Sequence, residues 1–210
     1  MLEFHHVHKS YGGAEPILSI DSQTLDSGIY WLQGANGAGK TTLLRMIAGI
    51  LPFQGDLVLQ GHSQRREPVI YRRKVSWADA EPLYPGFLTG TDLLAFYSSI
   101  LHPERAQIAK LSRDLAIGAW LNTRLAGWSS GMTKKLSLLL AFLGQPALIT
   151  LDEPLITLDE IGLQGLIDLI REYHDHYETS FLLSSHQPIP EALENTHQLT
   201  LENGSIQLKT

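Results

Sequence analysis

Apolar and polar positions alternate in blocks along the second half of the chain, and these blocks predict strands and helices in turn. Near-continuous apolar runs at 147–151 and 180–184 are typical of strands buried on both faces of a parallel sheet. Between them, residues 161–173 carry apolar side chains that suit a well-buried helix. Residues 199–208 predict a hairpin, because Asn203-Gly204 supplies the two positive-φ residues that a two-residue turn requires. Strands that alternate with helices indicate an α/β fold.

The first half begins with short β-like runs at 2–7 and 17–25, followed by an apolar strand at 29–33. From about residue 81 the pattern becomes helical, with predicted helices over 92–101, 104–115 and 133–143. We therefore expect a single domain over residues 1–210, with a core at about 1–80 and 144–210 and a helical insertion at about 81–143.

Composition restricts the kinds of protein that this chain can be. Its 210 residues are 43% hydrophobic and 18% charged, as in a globular protein, and the net charge is −6. Because an acidic chain offers no basic surface, we expect no nucleic-acid partner. The absence of cysteine excludes disulfides and thiolate metal sites. The most apolar stretch, residues 136–143, is too short to cross a bilayer, so we expect no direct membrane insertion.

One stretch indicates a specific chemistry. Gly34-Ala35-Asn36-Gly37-Ala38-Gly39-Lys40-Thr41 matches the phosphate-binding P-loop, G-x-x-x-x-G-K-[ST], and lies between the predicted strand at 29–33 and a helical run from Thr42. The glycines let backbone N–H groups turn onto phosphate oxygens, Lys40 would reach the β- and γ-phosphates, and Thr41 would ligate Mg²⁺. The glycine order differs from that of the dinucleotide-binding fingerprint. We therefore predict an α/β P-loop core, a mostly parallel sheet flanked by helices.

Asp152 and Glu153 follow the apolar run at 147–151 directly. The carboxyl ends of parallel strands are where ligands bind in such sheets, so Asp152 is placed to hold Mg²⁺ opposite Thr41. Glu153 would then polarise the water that attacks the γ-phosphate. The alternative is that the two carboxylates only cap the next helix.

Ordered motifs resemble those of the ATP-binding subunits of ABC transporters, and the resemblance covers nearly the whole chain. Trp128-Ser129-Ser130-Gly131-Met132 resembles the family signature LSGGQ in its exporter-type variant. Asp152-Glu153-Pro154 with Leu158-Asp159 resembles the joined Walker B motif and D-loop, and Leu183-Ser184-Ser185-His186 resembles the switch-histidine segment. Tyr11 is similar to the aromatic residue that stacks on adenine. The fold implied is a P-loop NTPase core with an N-terminal antiparallel β subdomain and an inserted α-helical subdomain.

The resemblance also implies roles for these residues. The expected catalytic residues are Glu153 as the general base, His186 as a γ-phosphate contact that helps to hold Glu153, and Lys40. The expected Mg²⁺ ligands are Thr41 and Asp152. Contacts with ATP are expected from Tyr11, Gly34, Asn36, Gly37, Ala38, Gly39, Lys40, Thr41 and Thr42.

The signature residues are expected to act on a second subunit. By resemblance, Ser129, Ser130, Gly131 and Met132 would face the ATP that a partner chain holds, and Asp159 would lie across the same interface. The plainer alternative is that residues 129–131 cap a helix that begins near Thr133, and the two roles are compatible. Two ATP molecules would then lie between two chains, either in a homodimer or in a heterodimer with a sister ATPase.

Ala80 is one of several positions that depart from the family pattern. It stands where the family usually has Gln or Glu, and a methyl group cannot ligate Mg²⁺ or orient water. Either Asp79 or Glu81 substitutes for that side chain, or the link to the partner is altered. The following segment, from Pro82 to Phe96, is expected to contact a separate transmembrane permease subunit. Its apolar side chains should divide evenly between core and partner surface: Leu83, Tyr84, Phe87, Leu88, Leu93 and Phe96.

Three classes of function fit these features. The preferred one is an ATPase that powers a membrane exporter, cytoplasmic and peripheral on the inner face of the cell membrane. The alternative is a soluble ABC-type ATPase of an assembly or repair machine, although such proteins often carry two nucleotide domains or long coiled-coil insertions. A nucleotide sensor without hydrolysis would normally lack the equivalent of Glu153 or Lys40. The transported substrate is a property of the permease and is not encoded in this chain.

Overall fold

The computed structural model describes residues 1–12, 15–186, 190, 193 and 196–209. Its strands are β1 (Leu2–Lys9), β2 (Leu18–Leu25), β3 (Ile29–Gln33), β4 (Gln54–Leu59), β5 (His62–Ser63), β6 (Val75–Ala78), β7 (Leu148–Asp152), β8 (Ser180–Ser184), β9 (His197–Glu202) and β10 (Ser205–Lys209). Its α-helices are α1 (Lys40–Ile47), α2 (Pro68–Lys74), α3 (Gly90–Leu101), α4 (Arg105–Asp114), α5 (Ser130–Ala141) and α6 (Glu160–Tyr177), with short 3₁₀ helices at Gly118–Trp120 and Leu125–Gly127.

Two sheets organise the molecule. The larger has six strands in the order β10-β9-β3-β8-β7-β6, and its neighbours pair in parallel except for the terminal hairpin of β9 and β10. The smaller is antiparallel, in the order β2-β1-β4-β5, and lies in the N-terminal part of the chain. The predicted fold class, a mostly parallel P-loop core with an N-terminal antiparallel sheet and inserted helices, is confirmed.

Apolar burial joins the inserted helices to the large sheet. Leu111 of α4 and Leu138 of α5 belong to one hydrophobic cluster with Ile149 of β7 and Phe181 of β8. A second cluster packs the antiparallel sheet against α1. Helix α5 is buried on every side from Lys134 onward, and it lies between the other inserted helices and the large sheet.

The parallel register brings three chain segments to one edge of the sheet. Asp152 of β7 lies opposite Ser184 of β8, and Ser184 also lies opposite Leu32 of β3. Each of these strands therefore ends at the same edge, where β3 leads into the P-loop. None of the helices formed by the described residues is long and apolar enough to cross a membrane.

Three local predictions differ from the structure. The α5 helix begins at Ser130 rather than near Thr133, because Ser129 caps it three residues earlier than the apolar pattern indicated. Helix α6 extends to Tyr177 rather than ending at Tyr173. The elements between 54 and 74, which are β4, β5 and α2, were not predicted from the sequence.

Candidate active site

The P-loop connects β3 to α1 by a turn that needs glycine. Gly37 has φ of 79° and Gly39 has φ of 101°, both in the left-handed region that side chains other than glycine rarely adopt. A Cβ atom on Gly39 would also lie 2.8 Å from Ile17 Cγ2 of the adjacent loop. Gly39 immediately precedes α1, so the free amides of the first helical turn face the loop. This is the backbone geometry that binds phosphate.

Lys40, the first residue of α1, is buried within this loop. Its ammonium donates hydrogen bonds to the carbonyl oxygens of Gly34 at 2.8 Å and Ala35 at 3.2 Å. Burial lowers the pKa of Lys40, while the nearby carboxylates of Glu153 and Asp152 oppose that shift. Lys40 is therefore bonded to the loop and lies within the electrostatic influence of the carboxylates at the end of β7.

Thr41, Asp152 and Ser184 form a chain of oxygen atoms at the sheet edge. The Thr41 hydroxyl donates to Asp152 Oδ2 at 2.8 Å, and the Ser184 hydroxyl donates to Asp152 Oδ1 at 2.6 Å. Hydroxyl and carboxylate oxygens are the ligands that Mg²⁺ takes in nucleotide sites. The two predicted ligands, Thr41 and Asp152, thus lie together and fit this ion. The contribution of Ser184 was not predicted.

Glu153 has a left-handed backbone conformation, and its carboxylate contacts His186. Its φ of 44° lies in the left-handed region, and its amide donates to the Ser184 hydroxyl at 3.1 Å. The amide of His186 donates to Glu153 Oε2 at 3.3 Å, and His186 Nε2 lies 3.3 Å from Glu153 Oε1. The predicted pairing of His186 with Glu153 is therefore present in the structure.

The signature residues lie on the first turn of α5. Ser129 is the N-cap of this helix, and its hydroxyl accepts a hydrogen bond from the amide of Met132 at 3.2 Å. In the described part of the chain the hydrogen bonds of this segment run within its own helix, not to the P-loop. Ser129 and Met132, with Thr157 and Asp159 of the D-loop, border one surface depression.

The D-loop is fixed by ionic and capping contacts. Asp159 caps α6 by accepting from the Gly162 amide at 2.8 Å, and it also accepts from the Lys135 ammonium at 2.8 Å. The hydrogen bond from Lys135, followed by that from Gly162, lowers the pKa of Asp159. The signature helix and the D-loop are thereby joined within one chain.

Gly131→Ala should destabilise this junction. An added Cβ would lie 2.6 Å from the carbonyl oxygen of Thr157, a backbone atom that cannot turn away. We expect the free energy of unfolding to fall by about 1–3 kcal/mol, measured by urea denaturation. Gly127→Ala is the matched control, because nothing lies within 4 Å of its added Cβ. Equal stability of the two variants would contradict the close contact.

Lys134 is a buried charged residue that sequence reasoning missed. Its side chain has 0% exposure, and its ammonium donates to the carbonyl oxygens of Asp79 at 2.8 Å, Ala80 at 3.3 Å and Asp152 at 2.8 Å. Burial lowers the pKa of Lys134 to about 8, against the opposing effect of nearby carboxylates. The available signal was a lysine just before the apolar run at 136–143, because a charge buried with that run needs polar partners.

The two acidic neighbours of Ala80 lie in different surroundings. The Asp79 carboxylate accepts from the Arg45 guanidinium of α1 at 2.9 Å, so it is already paired. Glu81 is exposed. Arg45 also lies over the Trp77 ring, 5.9 Å from its centroid. The segment at 79–80 is therefore held by its backbone carbonyls and by Arg45, and substitution of the missing Gln or Glu by Asp79 or Glu81 stays a prediction.

The apolar side chains after Pro82 divide into two sets. Leu83, Phe87 and Phe96 are 93%, 74% and 60% exposed. Tyr84, Leu88 and Leu93 pack against the hydrophobic core. Burial raises the pKa of Tyr84 to about 12, and its hydroxyl shares a hydrogen bond with Ser137 of α5. Three of the six side chains thus belong to the core and three are exposed, and contact of the exposed three with a permease stays a prediction.

Tyr11 lies two residues after the end of β1, within the described residues 1–12. Its ring is 48% exposed, and the Lys9 ammonium lies 4.7 Å from the ring centroid. An exposed ring has a free face for stacking. Its contact with adenine stays a prediction.

Comparison with known proteins agrees with this geometry. Residues 20–156 match the family model described as ABC transporter. An uncharacterized ABC transporter ATP-binding protein, YxlF of Bacillus subtilis, is 30% identical and the alignment covers 100% of this chain and 70% of that protein. The cytochrome c biogenesis ATP-binding export protein CcmA 1 of Salmonella paratyphi A is 31% identical over 89% of this chain and 90% of its own length.

A solved structure shares the fold. It is a dimeric post-hydrolysis state of the ATP-binding cassette MJ0796 bound to ADP and Pi, with a TM-score of 0.86 over 100% of this chain and 98% of that chain. At 15% sequence identity this likeness shows the fold alone. The family is shown by the two sequence comparisons, which extend through the P-loop and the end of β7. This chain belongs to the ABC transporter family and is an ATP-binding subunit with ATPase activity.

Proposed function

We propose that this chain powers a membrane exporter by hydrolysing ATP at sites formed between two chains. The observation that carries the proposal is the cluster at the carboxyl edge of the sheet, where Thr41 contacts Asp152 and His186 contacts Glu153. A part-buried pair of oxygen ligands for a metal lies directly beside a carboxylate that can accept a proton. That combination is what nucleotide hydrolysis requires and what simple nucleotide binding does not.

ATP is held mainly by charge and by backbone amides. The P-loop amides and Lys40 bind the phosphates. The residues that line the phosphate-binding site are Gly34, Asn36, Gly37, Ala38, Gly39 and Thr42. Tyr11 stacks on the adenine ring. Thr41 and Asp152 would hold Mg²⁺, which would neutralise phosphate charge.

Glu153 acts as the general base. Its carboxylate accepts a proton from the water whose oxygen attacks the γ-phosphorus, while the bond from that phosphorus to the β-γ bridging oxygen breaks and leaves ADP and inorganic phosphate. His186 lies against Glu153 and donates to the γ-phosphate. Ser184 holds both Asp152 and the Glu153 amide, so the metal ligand and the base share one support.

A second chain completes each site. Ser129 to Met132 and the amides at the start of α5 point to the γ-phosphate bound by the partner, and Asp159 lies at the same interface. One chain carries both half-sites, so a homodimer is sufficient and a heterodimer with a sister ATPase is compatible. The dimeric state of MJ0796, which shares this fold, supports the arrangement.

The permease binds the exposed apolar side chains Leu83, Phe87 and Phe96. We place the chain on the inner face of the cell membrane, peripheral and attached through this partner. The S-x-G-M form of the signature at Ser129 to Met132 and the relative named an export protein support export as the proposed direction. Exposed apolar side chains grouped in one segment are typical of protein interaction sites.

The double variant Leu83→Asp, Phe87→Asp should lose the permease. We expect a tagged wild-type chain, purified from native membranes in mild detergent, to bring a polytopic membrane protein in stoichiometric amount. The double variant should bring at least about tenfold less, because two exposed apolar side chains that the proposed interface would bury become charges. Val69→Asp with Ile70→Asp is the matched control, since both side chains are exposed on α2. Recovery of cytosolic partners alone by the wild type would contradict the transporter function.

A further inference from the structure

Lys134 joins three parts of the molecule that the proposed function uses separately. It lies on the signature helix α5, five residues after Ser129. Two of its hydrogen bonds go to the carbonyls of Asp79 and Ala80, in the segment that leads to Leu83 and the partner surface. The third goes to the carbonyl of Asp152, at the end of β7. A single buried ammonium therefore contacts the signature helix, the partner-facing segment and the metal-binding strand.

The bond to Asp152 has a consequence for Glu153. The peptide group between them is held at both ends, since its carbonyl accepts from Lys134 at 2.8 Å and its N–H donates to Ser184 Oγ at 3.1 Å. Glu153 adopts φ of 44°, a conformation that a non-glycine residue keeps only when its surroundings impose it. The two bonds fix the orientation of this peptide and hence the direction in which the carboxylate leaves the chain.

A purely packing role would not need a charge. Taking an ammonium out of water is costly, and an apolar side chain of similar length would fill the same space without that cost. The three donors of Lys134 are instead matched to three backbone carbonyls, which is full use of its hydrogen-bonding capacity. The methyl side chain of Ala80 cannot hydrogen-bond to the candidate active site. The partner-facing segment is therefore connected to Lys134 through the backbone carbonyls of Asp79 and Ala80.

We propose that Lys134 is a positioning residue for ATP hydrolysis: it orients Glu153 through the Asp152 carbonyl and ties that orientation to the backbone at 79–80. The inference rests on the proposed function of Glu153 as the base. Movement of the partner-facing segment would then change the orientation of Glu153 through the Lys134 side chain alone. This link does not need a Gln or Glu at position 80.

The test compares Lys134→Met and Lys134→Gln with Lys110→Met, a lysine-to-methionine change at an ion pair on α4. We expect Lys134→Met to lower kcat about 10- to 100-fold, since a misdirected base loses its alignment, while KM for ATP stays within about threefold. Lys134→Gln keeps donor hydrogens and should retain more activity than Lys134→Met. The control should match the wild type.

A second readout does not depend on activity. Hydrogen exchange of the Glu153 amide, measured without nucleotide, should accelerate about tenfold in Lys134→Met, because its peptide loses one of two supporting bonds. If Lys134→Met fails to fold, Lys134→Gln alone decides: a lower kcat with unchanged KM supports the positioning role. A wild-type kcat and a wild-type exchange rate in a folded Lys134 variant overturn it. If Glu153→Gln leaves hydrolysis intact, the proposed function itself is wrong, and that result is distinct from a failure at Lys134.

Discussion

Glu153→Gln should lower the rate of ATP hydrolysis by about 100- to 10,000-fold, the contribution of a general base. The amide has nearly the shape of the carboxylate but cannot accept the proton of the attacking water. The hydrogen bond from the Glu153 amide to the Ser184 hydroxyl does not involve the side chain, and the carbonyl oxygen of a glutamine can still accept from the His186 amide. ATP affinity should therefore change little, and phosphate release under saturating ATP and Mg²⁺ is the measurement.

Glu104→Gln is the control for that substitution, because Glu104 is an exposed residue at the start of α4. It should hydrolyse ATP at the wild-type rate. Hydrolysis by Glu153→Gln within a few-fold of wild type would show that another group takes the proton, and the assignment of the base would be wrong.

Lys40→Ala should lose most of its affinity for ATP. Charge-assisted hydrogen bonds contribute about 1.5–3 kcal/mol each, so removing the ammonium from the phosphates should raise the Kd for ATP about 100-fold. The substitution also removes the two bonds from Lys40 to the carbonyls of Gly34 and Ala35, which hold the P-loop in shape. Titration with a fluorescent ATP analogue measures the change.

Lys74→Ala removes a surface lysine whose ammonium contacts only the Gln60 side chain among the bonds described, and it should bind ATP normally. If Lys40→Ala bound ATP within about threefold of this control, the phosphates would have to lie elsewhere, and the P-loop would not be the nucleotide site.

Sequence predicted the site best where local chemistry and chain order coincide. The strand at 29–33 followed by glycines and Lys40 needs only neighbouring residues to be recognised, and β7 and β8 are apolar runs whose ends carry the acidic and hydroxyl groups. The hairpin at Asn203-Gly204 was equally local, with φ of 49° and 76° at the turn. The residues that determine each of these elements lie within a few positions of one another in the sequence.

Elements that depend on distant partners were missed. Strand β4 pairs with β1 across about fifty residues and contains glycine and aspartate, which weaken the apolar pattern. Helix α2 has seven residues and is anchored by buried Tyr71, whose hydroxyl donates to the Ile47 carbonyl at 2.9 Å. Neither element has a clear pattern in its own sequence, because its stability comes from packing against another part of the chain.

The contacts of Lys134 escaped prediction for the same reason. Its partners are backbone carbonyls, which every residue has, so no residue type in the sequence marks them.

The early start of α5 also depends on contacts outside the local pattern. Gly131 has a low helix propensity, but the cap at Ser129 and packing against the D-loop outweigh that preference.

The central claim, that two chains close on ATP held between P-loop and signature, is tested most directly by the mass of Glu153→Gln in solution. Light scattering after gel filtration should give twice the 23.3 kDa chain mass with ATP and Mg²⁺, and the single mass with ADP. The further change Ser129→Ala should weaken the dimer without weakening ATP binding. A protein that binds ATP at one site per chain and stays monomeric in Glu153→Gln would contradict the claim.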